Sequence, residues 1–166
     1  SYVFSPDSKW ITYEKQAGNS YSAIWVYNIA EGKGYQLTDN TFNDYSPVFS
    51  TDGKLIWFLS DRDFNLDFSS FEFNYVYNNS TRIYAMHLAA AGEKLFADKN
   101  DIEPVKEEKV AEESKVKNEK KDAAEEKKET TVNVTIDLEG INNRIVALPL
   151  KAGDYNNLVA VDGGIL

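Results

Sequence analysis

The chain has 166 residues, a formal charge of −9, 42% apolar and 13% aromatic residues, and no cysteine. The acidic balance argues against a nucleic-acid partner, whose phosphates need clustered Lys and Arg, and against an anionic membrane surface. The lack of cysteine excludes disulfides and thiolate metal sites, and no apolar run approaches the roughly 20 residues of a membrane-spanning helix.

The N-terminal stretch Ser1–Phe4 reads as a strand, followed by a turn at Ser5-Pro6-Asp7-Ser8 and a second strand from Lys9 to Tyr13. Gln16–Ser20 is a polar connection. Ser22–Ile29 alternates, with Ile24, Val26 and Asn28 on one face and Trp25, Tyr27 and Ile29 on the other. Both faces are largely apolar, as in a sheet packed on both sides. Glu31–Gly34 is a turn, Tyr35–Thr38 a short final strand, and Asp39–Asp44 a polar loop.

The same plan then recurs. Phe4-Ser5-Pro6-Asp7-Ser8-Lys9-Trp10-Ile11 lines up with Phe49-Ser50-Thr51-Asp52-Gly53-Lys54-Leu55-Ile56, an offset of 45 positions from Asp7 to Asp52. Asp-Gly is a tight-turn dipeptide because Gly reaches positive φ without a Cβ clash. Asp7 and Asp52 are therefore expected to hold turn backbone rather than to act as catalytic acids. Leu55–Leu59 is a continuous apolar run, the mark of a strand buried on both faces. A further strand follows each hairpin, Ala23–Tyr27 in one copy and Arg82–Met86 in the other. A period of about 40–45 residues with about four strands per unit is the signature of a propeller blade.

The second copy carries an insertion: Asp52 to Ile83 is 31 steps, against 17 from Asp7 to Ile24. The extra residues fall in 65–81, rich in rings at Phe68, Phe71, Phe73, Tyr75 and Tyr77. They are expected to extend the hairpin, packing on a neighbour or projecting as a lip that touches a peptide or protein partner. Leu95 and Phe96 are expected to form the short fourth strand of this unit. Glu103–Glu129 is almost wholly Glu, Lys and Ala and reads as a solvated insertion, partly helical at best. Thr131–Ile136 alternates as a strand, Arg144–Leu148 is another, and the end of the chain forms a second hairpin around Asp162-Gly163-Gly164.

Sites of chemistry are few. His87 is the sole histidine, and a Ser-His-acid triad would have to use it. No nucleophile motif lies near it, so it reads as an ordinary strand residue. Asp61, Asp63, Asn65 and Asp67 place side-chain oxygens at every second position, as calcium loops do, but the sharp-turn Gly and the bidentate Glu are missing. No catalytic residue, cofactor or metal is expected. Asn78-Asn79-Ser80, Asn79-Ser80-Thr81 and Asn133-Val134-Thr135 match glycosylation acceptors, which matter only in a eukaryotic secretory host. The chain opens without Met in an apparent strand and stops entering another, so a piece of a larger protein is expected.

SPDSKWITYEKQ, with SAIWVYNIAEGKGYQLTDNTFNDYSPVFSTDGKLIWFLSDRD behind it, resembles the propeller repeats of TolB and of tricorn-type peptidases. The tail IDLEGINNRIVALPLKAGDYNNLVAVDGGIL is similar to the segment of bacterial tricorn-like proteases that follows a charged insertion. The resemblance implies a large serine peptidase whose catalytic residues lie elsewhere, and a propeller that governs the passage of peptides. The expected fold is all-β, an incomplete β-propeller of about three four-stranded blades. The expected divisions are a blade at 1–44, a blade at 45–102, the charged insertion at 103–130, and a diverged blade with the start of the next at 131–166. Expected partners are the other blades and catalytic domains of the parent chain, peptides or unfolded protein, and a second copy of the chain through its uncovered blade faces. The alternative is a TolB-like scaffold that binds a protein. The expected location is periplasmic or otherwise exported in a bacterium, with the cytoplasm as the alternative.

Overall fold

Each of the two Asp turns is built by the same hydrogen bonds. In the first, the Ser5 hydroxyl donates to Asp7 at 2.6 Å, the Lys9 N–H donates to Asp7 at 3.2 Å, and the Trp10 N–H donates to Ser5 Oγ at 2.9 Å. In the second, the Ser50 hydroxyl donates to Asp52 at 2.6 Å, the Lys54 N–H to Asp52 at 3.1 Å, and the Leu55 N–H to Ser50 Oγ at 2.9 Å. The side chains thus satisfy turn backbone that no ladder reaches. The left-handed position is Gly53 in one turn, at φ +69°, and Ser8 in the other, at φ +58°.

The computed structural model describes residues 2–63, 66–69, 74–77, 79–91, 95 and 132–166. All but Leu95 belong to one unit, Ser1–Glu93 with Thr131–Leu166. The fold class is the expected one: all-β, with antiparallel four-stranded sheets. The first sheet runs β1 (Tyr2–Phe4), β2 (Trp10–Gln16), β3 (Ser22–Asn28) and β4 (Lys33–Gln36), in that order. In the second, β5 (Asp44–Phe49) pairs with β6 (Leu55–Ser60). The inserted hairpin follows as β7 (Leu66–Ser69) and β8 (Asn74–Tyr77), paired with Phe68 opposite Tyr75. The chain then returns as β9 (Arg82–His87), against β6.

Leu95–Phe96 was expected as the outer strand of the second sheet; among the described residues that place is held by β10 (Ile145–Ala147), with Ile145 opposite Met86 and Ala147 opposite Tyr84. Phe96 and the charged stretch 103–129 lie outside the described residues. Residues 145–147 were expected in a separate third unit, but they complete the second. Short apolar triplets are alike in sequence, and pairing at this range is set by the packed fold rather than by local pattern. The chain ends in a hairpin of β11 (Ala160–Val161) and β12 (Gly164–Ile165). Two four-stranded sheets and two two-stranded hairpins are therefore seen among the described residues.

The sheets meet face to face. Ile24, Val26 and Leu37 of the first pack with Phe49, Ile56, Phe58, Tyr84, Met86 and Leu88 of the second, and Val134 and Ile141 join them. All six residues of β6 are buried, as its continuous apolar run demands. Val132–Ile136 does alternate in burial, with Val134 inward and Asn133 and Thr135 exposed, but it pairs with no strand. It crosses the two Asp turns as a strap. In β5 the ladder slips between Tyr45 and Val48, where Ser46 takes φ +52°. Pro47 is tolerated in this bulge because no ladder donor is required of it. Glu14 of the neighbouring sheet accepts the Ser46 N–H at 2.7 Å.

Candidate functional site

At the end of the sheets that carries the Asp turns, the strap is fastened to both blades. Asp7 accepts the Val134 N–H at 2.9 Å, and Lys9 Nζ donates to Asn133 Oδ1 at 2.6 Å. Gly53 lies directly under Val132 and Val134. Burial works against the Asp7 charge, but the Ser5 hydroxyl and the Val134 and Lys9 N–H groups outweigh it and hold the carboxyl below its ordinary pKa. Asp52 is also lowered: burial is again overcome, here by the Ser50 hydroxyl and the Lys54 N–H. Both acids thus anchor their turns, and Asp7 anchors the strap as well.

The opposite end carries the run Ser60–Asp63. Arg62 Nη2 sits 2.9 Å from both Asp44 oxygens, and its Nε donates to Ser60 Oγ at 2.7 Å. The guanidinium carbon lies 4.9 Å from the Phe42 ring centre and 4.8 Å from that of Tyr84. Asp44 and Ser60 are buried, so this is a largely desolvated pair, with Nε and Nη2 of the guanidinium both used and its faces covered by rings. Asp61 accepts from Asn43 at 2.9 Å, from the Thr81 hydroxyl at 2.6 Å and from the Tyr45 hydroxyl at 3.3 Å. Asp63 pairs with Arg82 at 3.0 Å.

Of the four residues considered for calcium, Asp61 and Asp63 have described side chains. Asp61 and Asp63 serve different partners. Asn65 lies outside the described residues, and Asp67 is described only by its place in β7, opposite Val76. Among the described residues, no three His, Cys, Asp or Glu side chains converge as metal ligands.

His87 ends β9, half-buried. Its Nε2 is inaccessible and has no hydrogen-bond partner. Burial, and then the nearby Arg144, push its pKa below the ordinary value. A triad histidine is instead hydrogen-bonded through both ring nitrogens, to an acid and to a nucleophile. Arg144 itself grips backbone carbonyls, those of His87 at 3.1 Å, Glu139 at 2.9 Å and Asp137.

Aromatic surface is the other resource. Phe68 on β7 is 50% exposed, and in register it faces Tyr75 of β8, while Tyr77 faces Leu66. Phe71 and Phe73 lie outside the described residues. A second aromatic patch went unnoticed in the sequence: Tyr2 is 70% and Phe4 52% exposed, their rings edge-to-face at 6.2 Å. Their i, i+2 spacing on one strand puts them on one face, and the register Phe4–Ile11–Tyr27 extends that face to an exposed Tyr27. The spacing was the available signal, but the position of β1 at the sheet edge was not.

Two successive four-stranded antiparallel sheets, packed face to face and each begun by the same Ser-x-Asp turn, are blades of a β-propeller. The chain belongs to the family of the tricorn protease second β-propeller domain, whose family model matches residues 1–166. It is 30% identical over 165 residues to tricorn protease homolog 1 of Streptomyces coelicolor, covering 99% of this chain and 14% of that protein. It is 26% identical over 171 residues to the tricorn protease of Thermoplasma volcanium, again covering 99% of this chain and 14% of the relative. The crystal structure of the tricorn protease superposes with a TM-score of 0.66 at 18% identity, over 96% of this chain and 14% of that one. The chain thus spans about a seventh of the length of these relatives.

Proposed function

We propose that this chain is a non-catalytic propeller segment of a tricorn-like serine peptidase, and that it guides or filters peptides on their way to a catalytic core outside residues 1–166. One contrast carries the reading. The acidic and basic groups described at the blade ends engage one another, hydroxyls and backbone, as in Asp44–Arg62, Asp61–Thr81 and Asp7–Val134, while Phe68, Tyr2 and Phe4 are exposed. Exposed rings offer peptides a sequence-tolerant contact at low entropy cost. The neighbouring blades and the catalytic domains of the parent polypeptide are its proposed partners. A second copy of the chain is a further proposed partner for the isolated segment, through the Tyr2–Phe4–Tyr27 face.

Two measurements test this. The purified 166-residue chain is expected to leave a chromogenic peptide uncut, and turnover would refute the non-catalytic role. In the parent polypeptide, Phe68→Ser with Tyr75→Ser is expected to lower kcat/KM for long peptides while sparing a single-residue amide substrate. An equal loss on both substrates, or no loss on either, would refute the guiding role.

A further inference from the structure

The segment that completes the second sheet is fastened next to a half-buried histidine whose Nε2 is inaccessible and unpartnered. Ile145 pairs with Met86, and continuing that register one rung puts Arg144 opposite His87, with Leu55 on the other side. Arg144 holds the carbonyls of His87, Leu88, Asp137 and Glu139, so one guanidinium ties β9 to the returning chain. Asp137 adds its own N–H to the Leu88 carbonyl at 2.9 Å, and its carboxylate accepts the Ala90 N–H at 2.7 Å. Lys54, next to Leu55 on β6, has its ammonium 3.7 Å from Asp52. The charged groups of this corner are therefore Arg144 from the returning segment, Lys54 with Asp52 from the β5–β6 hairpin, and Asp137 and Glu139 in the loop. The loop's contacts to Arg144 run through the carbonyls of Asp137 and Glu139, which cannot neutralise a second cation.

A neutral imidazole is compatible with this setting, because Nε2 then needs at most one weak interaction. A protonated ring would bury an unsatisfied N–H and a positive charge beside a guanidinium, and both effects are unfavourable. We propose that the returning segment is an acid-released latch: protonation of His87 displaces Arg144 from its carbonyls and frees β10 from the edge of the second sheet, while the two-sheet body stays folded. The direction follows from linkage. A histidine whose folded pKa lies below its unfolded value supports the docked state above about pH 6.5. That support is lost as pH falls from there toward the lower folded value. The latch is independent of what the aromatic surface binds.

The test is amide hydrogen exchange of the full 166-residue chain, at about pH 7.5 and about pH 5.5, on either side of the ordinary histidine value. After correction for intrinsic exchange, protection at Ile145–Ala147 is expected to fall severalfold at the lower pH. Protection in Ile56–Leu59 is expected to hold. His87→Gln is expected to abolish the difference. Equal protection of β10 at the two pH values, or loss in β6 and β10 together, would overturn the latch. The wild-type comparison alone decides the matter if the variant does not fold.

Discussion

The strap across the two Asp turns makes Gly53 the most sensitive backbone position in the described chain. Gly53 is buried at φ +69°, and a Cβ there would lie 2.6 Å from Val134 Cγ2 and 2.9 Å from Val132 Cγ1. Gly53→Ala therefore incurs two costs. Holding a non-Gly residue in the left-handed region costs about 1–2 kcal/mol. Overpacking against Val134, a β-branched side chain that is 5% exposed and stiff at χ1, adds about 1–3 kcal/mol. The sum, roughly 2–5 kcal/mol, is a large fraction of a typical domain stability. Urea unfolding followed by the fluorescence of the three tryptophans reads it directly. Val134→Ala in the Gly53→Ala background separates the costs: relief of the clash is expected to appear as a favourable coupling of about 1–2 kcal/mol in the double-mutant cycle. Ser8 supplies a control, because it takes φ +58° at the equivalent turn, so Ser8→Gly is expected to be neutral or slightly stabilising. If Gly53→Ala unfolds within about 0.5 kcal/mol of the parent, the value of an ordinary surface change, the strap does not lie on the turn and the reasoning fails.

Asp44→Ala would leave the partly buried Arg62 guanidinium without its carboxylate and is expected to cost up to about 3–5 kcal/mol by the same urea assay. Asp7→Ala removes the acceptor of the Ser5, Lys9 and Val134 donors and is expected to cost about 1–3 kcal/mol at neutral pH. Because the folded Asp7 pKa is lowered, this stabilisation is present above the unfolded value of about 3.9 and is lost as pH falls through the folded value. The gap between variant and parent should therefore close in acid, and a gap that widens would contradict the assignment. The isolated chain is expected to self-associate through the Tyr2–Phe4–Tyr27 face. Sedimentation velocity should then report a smaller species for Tyr2→Ser with Phe4→Ser, and an unchanged profile would count against that face.

The local devices were readable from sequence because their causes are local. The paired Ser-x-Asp turns announce themselves by residue type and spacing, and the burial of β6 follows from five apolar residues in a row. The alternation of Val132–Ile136 was also legible, but what it packs on was not: the pattern says which residues point inward, and not whether a ladder or two turns lie beneath. The placement of β10 was hidden for a related reason. Ile145 meets Met86 across the whole intervening insertion, and nothing in a three-residue apolar stretch distinguishes it from Leu95-Phe96. Arg144 was invisible as a clamp because its acceptors are backbone carbonyls, which every residue has. The acids of the Ser60–Asp63 run show their spacing in the sequence but not their partners Asn43, Tyr45, Thr81 and Arg82, which come from other parts of the chain.

The central claim is that the two hairpins are successive blades and that the returning chain completes the second. The chain has no native cysteine, so an engineered pair can report on it without interference. Val146 lies opposite Ala85 in the ladder, a spacing that suits a disulfide. Ala85→Cys with Val146→Cys is expected to form an intrachain bond on mild oxidation much faster in the folded chain than in urea. A pair that stays reduced in the folded chain, or bonds no faster there than in urea, would contradict the account.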